Sequence, residues 1–410
     1  MSASPSLAPA PTAPGSSLSL RPLRVLDVTD FYSDTVSGGV KTYLHAKAAA
    51  LARMGVDHAI VVPGDHTGVT ELGATRLHRV KGPVLPVSSA YRVMLSPTEL
   101  RRVIDAERPD VIEVGSPFLV PHLVRSADRR RRPTVGFYHA DIVRTFAEPY
   151  VPNRVAAPLR VTARVAARRL VRSVYGRFDA TVAASASVAS ELRTLGVSNV
   201  RTVGLGVDLE TFRPRPEHEH LDPARWGVDP DVPLGIYVGR FCAEKRLDVL
   251  LDGHARTPME RRPHLLLVGG GPHLERLRVR ARARPRVTIV PYVRDRDGLA
   301  RLYASADFYV APGPGETFGL AIAEAMACGL PVVAVDRGAA PDRIEGSGVG
   351  ELYDHDDPAS ATLALERMVA RLEQGLRARA RAHAESTFSW TRTFESLVSL
   401  YRELSAVSTG

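Results

Sequence analysis

Cysteine is almost missing from this chain: two residues, Cys242 and Cys328, stand among 410. They offer neither a disulfide framework nor a four-ligand zinc site, and a reducing compartment is expected. Also lacking is any uninterrupted apolar run of ~18 residues, the length a helix needs to span a bilayer. Charge is absent from residues 1–20, which four prolines punctuate. Without a basic n-region or an unbroken apolar stretch, this segment reads as a disordered tail rather than a secretory signal. What is present is ordinary for a globular protein, with 44% hydrophobic and 24% charged residues, so disordered and fibrous classes are excluded. At ~100–200 residues per domain, the length points to two domains. Lys and Arg number 54 against 45 Asp and Glu, a net +9. That excess favours anions without choosing among nucleic acid, phosphorylated substrates and acidic lipid.

From Leu23 onward, short apolar runs alternate with longer amphipathic ones, the rhythm of an α/β fold. Strands are expected near 23–28, 58–62, 111–114, 134–138 and 179–183. A helix over 39–54 gathers Val40, Leu44, Ala48 and Leu51 on one face and stops at Gly55. Five prolines between 213 and 233, flanking His218 and His220, suit a loop or hinge. A second α/β run follows, with strands near 234–238, 264–268, 287–290, 307–310 and 331–335. The expected organisation is a tail (1–20), two Rossmann-like domains (21–207 and 208–388) and a closing helix (389–410) packing back toward the N-terminal domain. That helix carries Trp390, Phe394, Leu397, Leu400 and Leu404 as a core stripe. Two open parallel sheets bind ligands beyond the carboxyl ends of their strands, so the site is expected in a cleft between the domains.

Several motifs sit at such strand ends. Gly38-Gly39 opens the first helix, where close backbone approach and free N–H groups favour an anion, although taken alone such a pair is more often a simple structural turn. A third glycine is missing, so a nicotinamide fingerprint is not supported. Gly239-Arg240 to Lys245 places a planar fork and a point charge where they can bracket a diphosphate, or merely form a solvated turn with Glu244. Lys245 is not followed by Ser or Thr, which rules out a P-loop. Gly269-Gly270-Gly271-Pro272 suits a tight strand-to-helix turn with Pro272 at the first helical position. The run Pro312-Gly313-Pro314-Gly315-Glu316-Thr317-Phe318-Gly319-Leu320 leads into a helix expected from about Phe318 that contains Glu324. Its two carboxylates can accept hydrogen bonds from sugar and ribose hydroxyls. Asp295/Asp297 and Asp354/Asp356 match Asp-x-Asp but read as loop charges, and no metal is expected. Residues 154–177 hold Arg154, Arg160, Arg164, Arg168, Arg169, Arg172 and Arg177 with no acid. A helix from Pro158 would set Leu159, Ala163, Ala166, Leu170 and Val174 opposite the arginines. That face suits either an anionic membrane or water.

The Glu-x7-Glu element from Glu316 to Glu324, with the ending Ala325-Met326-Ala327-Cys328-Gly329-Leu330-Pro331, resembles family 4 of the retaining glycosyltransferases. Gly38-Gly39, Tyr138-His139-Ala140-Asp141, Gly206-Val207-Asp208, Gly239-Arg240 with Lys245, and Gly269 to Pro272 occur in that family's order. The resemblance implies the GT-B fold, two Rossmann-like domains facing an inter-domain cleft. It further implies that Arg240 and Lys245 hold the donor diphosphate, with Gly38 and Gly39 beside it. Glu316, with Thr317, Phe318 and Gly319, would engage the donor sugar, and Glu324 the nucleotide ribose. His139 would approach the sugar or reacting centre, with Asp141 on the acceptor side, and Asp208 would order the inter-domain connection. The motifs resemble most those of GDP-mannose-dependent α-mannosyltransferases, which implies a nucleotide-sugar donor and a lipid-linked or glycan acceptor. No cofactor is implied. A cytoplasmic enzyme is expected, peripheral at the inner face of the membrane. A UDP-sugar donor and a sugar-nucleotide epimerase are the alternatives. Nucleic-acid binding lacks any aromatic-basic interleaving to support it.

Overall fold

The computed structural model describes residues 21–34, 38–85, 88–142 and 157–407. The expected tail, Ser37, Arg154 and the side chain of Arg160 lie outside the described residues. Two open sheets form the frame. The first runs, edge to edge, Val200–Thr202, Ala180–Ala183, Thr134–Phe137, Val111–Val114, Arg24–Val28, Asp57–Gly64, Thr75–Lys81 and Gly68–Leu72. All neighbours are parallel except the last pair. The second runs Val287–Pro291, His264–Gly270, Leu234–Arg240, Phe308–Ala311, Val332–Val335 and Gly350–Tyr353, wholly parallel. Parallel strands covered on both faces must be apolar almost throughout, and Val332–Val335 and Phe308–Ala311 are buried at every position. This is the α/β, two-Rossmann architecture expected.

The ten anticipated strands all occur. Among the described residues six more were not anticipated, at Gly68–Leu72, Thr75–Lys81, Val84–Leu85, Ser88–Arg92, Val200–Thr202 and Gly350–Tyr353. Thr75–Lys81 escapes a hydrophobic scan because its inward positions include Thr75 and His78, both buried. Helix Gly39–Arg53 buries Leu44, Ala48 and Leu51 and ends where Gly55 takes a φ of +67°.

Two expected helix starts move. The helix after the glycine triplet begins at Leu274, because the Leu274 N–H already bonds the Gly271 carbonyl in a turn that leaves Pro272 outside. The helix after the second glycine-rich run begins at Leu320, with Gly319 in a left-handed cap at φ +78°. The arginine-rich helix spans Ala157–Tyr175, and its buried side coincides only in part with the expected one. Of the expected stripe Val174 is buried, Ala163 and Leu170 are half-buried and Ala166 is exposed, while Ala167, Val171 and Tyr175 add to the buried side and Val161 and Val165 are exposed with the arginines. Among the described residues, those of the second half of the helix rest on the cluster with Ala183, Val188 and Leu192.

The segment with five prolines holds two short 3-10 turns, Glu217–Glu219 and Pro223–Trp226, with His218 exposed and His220 Nε2 3.0 Å from the Arg215 carbonyl. The last helix, Trp390–Val407, buries Phe394, Leu397, Leu400 and Tyr401 and packs on helix Gly39–Arg53 of the first sheet. Its entry is so close to the chain leaving that sheet that a Cβ at Gly206 would lie 2.2 Å from the Trp390 nitrogen. Only glycine fits there. No helix among the described residues is long and apolar enough to cross a membrane.

Candidate active site

The loops beyond the carboxyl ends of strands in both sheets meet. Thr317, after Phe308–Ala311, donates its hydroxyl to the His139 carbonyl, after Thr134–Phe137, at 2.8 Å. Asp342 accepts from the Ser187 backbone at 2.8 Å, and Arg343 reaches the Ala184 carbonyl at 3.4 Å. The expected cleft is therefore bridged along one side.

On the second sheet, strands Leu234–Arg240 and His264–Gly270 come together so tightly that a Cβ at Gly269 would stand 1.9 Å from the Gly239 carbonyl oxygen. Around Gly270 no described residue lies within 4 Å of such a Cβ. Arg240 ends its strand with 53% of its side chain exposed and donates to Glu244 at 2.6 Å. Glu244 itself is buried. Lys245 closes the short turn Ala243–Lys245 and pairs with Glu316. Desolvation would lower the Lys245 ammonium, but the Glu316 carboxylate outweighs it and holds the pKa above its ordinary value. Glu316 is fixed from behind, since its carbonyl accepts from the Ala339 N–H at 2.8 Å and a Cβ at Gly338 would sit 2.6 Å from that oxygen.

Glu324 lies on helix Leu320–Ala327, 3.7 Å from an Arg296 nitrogen. Burial pushes its carboxyl up to about 7, with Arg296 pulling it down and Asp208 adding to the rise. Asp208 accepts from the backbone N–H groups of Glu210 and Thr211 at 3.2 and 3.0 Å and so caps the turn that enters the second sheet. Phe318 is buried under the Arg343 guanidinium, 4.7 Å from its ring centre.

On the first sheet, the His139 ring stacks on Phe137 at 4.1 Å and 2° and tilts against Tyr43 at 5.0 Å. It shares a pocket with Asp27, Thr29, Glu113 and Gly115. Burial, reinforced by the Lys47 charge, lowers its imidazole to about 3, so it is neutral at ordinary pH. Gly38 caps helix Gly39–Arg53 in an extended conformation, with no side chain bonding the helix start and no acid in its first turn. Among the described residues nothing stands within 4 Å of a Cβ at Gly39, which leaves this helix start approachable by an anion.

Two groups of expected site residues emerge: Arg240, Lys245, Glu316 and Glu324 on the second sheet, and Gly38, Gly39 and His139 on the first. Thr317 joins the groups through the His139 carbonyl. Asp141 stands apart from the open side, only 4% exposed and 3.5 Å from the Tyr138 hydroxyl. Of the Asp-x-Asp matches, Asp295 caps helix Arg296–Ala304, Asp297 pairs with Arg215, and Asp356 pairs with Arg246. Among the described residues no group of three or more His, Cys, Asp or Glu is placed to hold a metal.

The sequence reasoning named Glu244 as a partner of Arg240 but overlooked Arg296 and the buried polar set Asp27, Lys47 and Glu113. A signal for the last was available. Lys47 falls on the apolar face of its helix, four residues from Tyr43, while Asp27 and Glu113 interrupt otherwise apolar strands.

With this geometry in hand, the likeness to known proteins is specific. Residues 37–211 match the family described as Glycosyltransferase Family 4, and residues 233–371 the one described as Glycosyl transferases group 1. A GDP-mannose-dependent alpha-(1-6)-phosphatidylinositol dimannoside mannosyltransferase of Mycobacterium tuberculosis is 32% identical over 94% of this chain and 98% of its own length. A GDP-mannose-dependent alpha-mannosyltransferase of Mycolicibacterium smegmatis is 29% identical over 82% and 85%. Sucrose-phosphate synthase from Thermosynechococcus elongatus superposes with a TM-score of 0.75 at 21% identity, over 94% of this chain and all of its own. The chain belongs to the family 4 glycosyltransferases and has their GT-B fold. It is a glycosyltransferase.

Proposed function

We propose that the protein is a metal-independent, retaining α-mannosyltransferase that moves mannose from GDP-mannose to a lipid-linked or glycan acceptor at the inner face of the cell membrane. The observation that carries this is the likeness, over nearly the whole chain, to relatives named as GDP-mannose-dependent mannosyltransferases. The site chemistry is consistent with it. Breaking the bond between the sugar C1 and the phosphate oxygen leaves an electron pair on the departing diphosphate, and fixed cations stabilise that charge. Arg240, with 53% of its side chain exposed, can donate to a diphosphate while keeping its bond to the buried Glu244, and Lys245 can exchange Glu316, which borders the open side, for the same ligand. Lys245 turning to the diphosphate frees Glu316 to accept from sugar hydroxyls. Gly38 and Gly39 add the helix start, and Glu324 takes the ribose. The acceptor hydroxyl attacks C1 from the face the diphosphate leaves, and its proton passes to the leaving phosphate oxygen. His139, neutral, hydrogen-bonds the sugar without adding charge.

The exposed arginines of helix Ala157–Tyr175, beside Val161 at 61% and Val165 at 40% exposure, support docking on an anionic lipid surface. The test is a donor panel with membrane extract as acceptor. GDP-mannose is expected to yield an α-mannosylated glycolipid. Transfer from UDP-glucose alone would refute the donor assignment, and epimerised nucleotide without any glycoside would refute transfer.

A further inference from the structure

Below His139 lies a set of buried polar side chains that sugar transfer, as derived above, does not use. Lys47 is wholly buried. Its ammonium donates to Asp27 at 2.7 Å and to the Tyr401 hydroxyl at 2.8 Å, and it lies 3.1 Å from Glu113. The second Asp27 oxygen is 2.5 Å from His58 Nε2, whose Nδ1 is 3.1 Å from the Thr75 hydroxyl. Glu113 accepts from Tyr43 at 2.8 Å and from Tyr401.

Such a set is costly to bury, and apolar side chains of similar volume often serve stability as well. Its placement points to a use. Asp27 and Glu113 line the same pocket as His139. Tyr43 holds Glu113 with its hydroxyl and His139 with its ring. Tyr401 arrives from the last helix, 354 residues after Lys47, and closes the network from outside the first sheet. Trp390 and Phe394 of the same helix pack on the Tyr43 ring at 6.4 and 5.9 Å. The returning helix therefore contacts the residue that supports His139 both by packing and through a shared carboxylate.

We propose that Lys47 and Tyr401 are positioning residues for the transferase centre: they lock the C-terminal helix to Asp27 and Glu113 and, through Tyr43, set the orientation of the His139 ring. The proposal rests on the assignment of His139 to the sugar side of the site. The charged and titratable groups facing this region are Lys47 and Tyr43 from helix Gly39–Arg53, Asp27, His58 and Glu113 from three strands, and Tyr401 from the last helix. Burial raises Glu113 to about 7, against the pull of Lys47. Burial also holds His139 at about 3, with Lys47 depressing it further and Asp27 opposing. Loss of the Lys47 charge therefore moves His139 upward.

The test uses the full-length chain with isotope-labelled histidine. Imidazole resonances are followed against pH in the parent, Tyr401→Phe and Lys47→Met, and GDP-mannose turnover is measured beside them. Tyr401→Phe keeps the ring and removes both hydroxyl bonds. It is expected to displace the His139 resonances and to lower kcat on the order of 10-fold, with KM and GDP affinity within about twofold of the parent. Lys47→Met is expected to raise the His139 titration by roughly one pH unit. Should Lys47→Met fail to fold, Tyr401→Phe decides alone. A folded Tyr401→Phe with parental His139 resonances overturns the proposal, whatever its melting temperature. If the parent turns over no sugar nucleotide, the mannosyltransferase assignment fails, while the resonances still decide the network.

Discussion

The two faces of the cleft handle charge in opposite ways. On the second sheet, Arg240 and Lys245 are partly exposed and each leans on a single carboxylate, Glu244 or Glu316. On the first, Lys47 has no exposed surface and is shared among Asp27, Glu113 and Tyr401. An exposed pair is weak and exchanges readily for a better partner, whereas a buried pair that loses one member leaves an uncompensated charge. The difference separates cations that can meet an anionic ligand from a cation that can only hold structure. The same contrast applies to the acids. Glu316 borders the open side, while burial raises both Glu324 and Glu113 to about 7.

Removing an exchangeable cation breaks the contrast most sharply. Lys245→Ala is expected to lower kcat/KM for the sugar nucleotide by about 10²–10³-fold with the melting temperature nearly unchanged, and Arg240→Ala to act in the same direction, both read from steady-state kinetics and a thermal scan. Glu316→Gln comes next. It is expected to cost about 10²-fold in turnover while GDP binds within a few-fold of the parent, because the sugar hydroxyls lose a charged acceptor while Lys245 stays available to the diphosphate. Calorimetry with GDP and GDP-mannose separates the two effects.

Glu324 sharpens the comparison through pH. Its folded pKa of about 7 exceeds the ordinary carboxyl value of 4.5, so between those values the native state binds the extra proton. Stability from this group is present at the acid end and is lost as pH rises toward 7. Denaturant titrations at pH 5 and pH 8 are expected to show Glu324→Gln gaining on the order of 2 kcal/mol relative to the parent at the higher pH. The smallest effect concerns the surface. Arg164→Gln with Arg168→Gln is expected to weaken sedimentation with anionic vesicles by about tenfold and to leave neutral vesicles unaffected.

Apolar rhythm made most of the fold legible. Strands such as Asp57–Gly64 and His264–Gly270 carry four consecutive aliphatic positions, Ala59 to Val62 and Leu265 to Val268, and helix Gly39–Arg53 stops just before Gly55. What escaped were edge and polar strands such as Thr75–Lys81, where burial falls on His78, and Val200–Thr202, too short to show a period. The buried side of the arginine-rich helix was read only in part, with Val174 and Leu170 as expected but Ala167, Val171 and Tyr175 not, because periodicity shows which residues share a face, not how much of the helix reaches the core. The motifs of the site could be read as glycines, cations and acids at strand ends. Their pairing could not, since Lys245 and Glu316 are 71 residues apart and meet only once both turns are built. The buried Lys47 was overlooked because an apolar scan passes over a lysine on the core face, though that misfit is itself a signal.

The most direct test of the cleft as a sugar-nucleotide site is a calorimetric titration of GDP-mannose into the parent and Lys245→Ala proteins. Saturable binding by the parent, weakened at least tenfold in the variant, is the expected result. Equal binding by both proteins, or no heat from GDP-mannose or any other sugar nucleotide in the parent, would contradict the account.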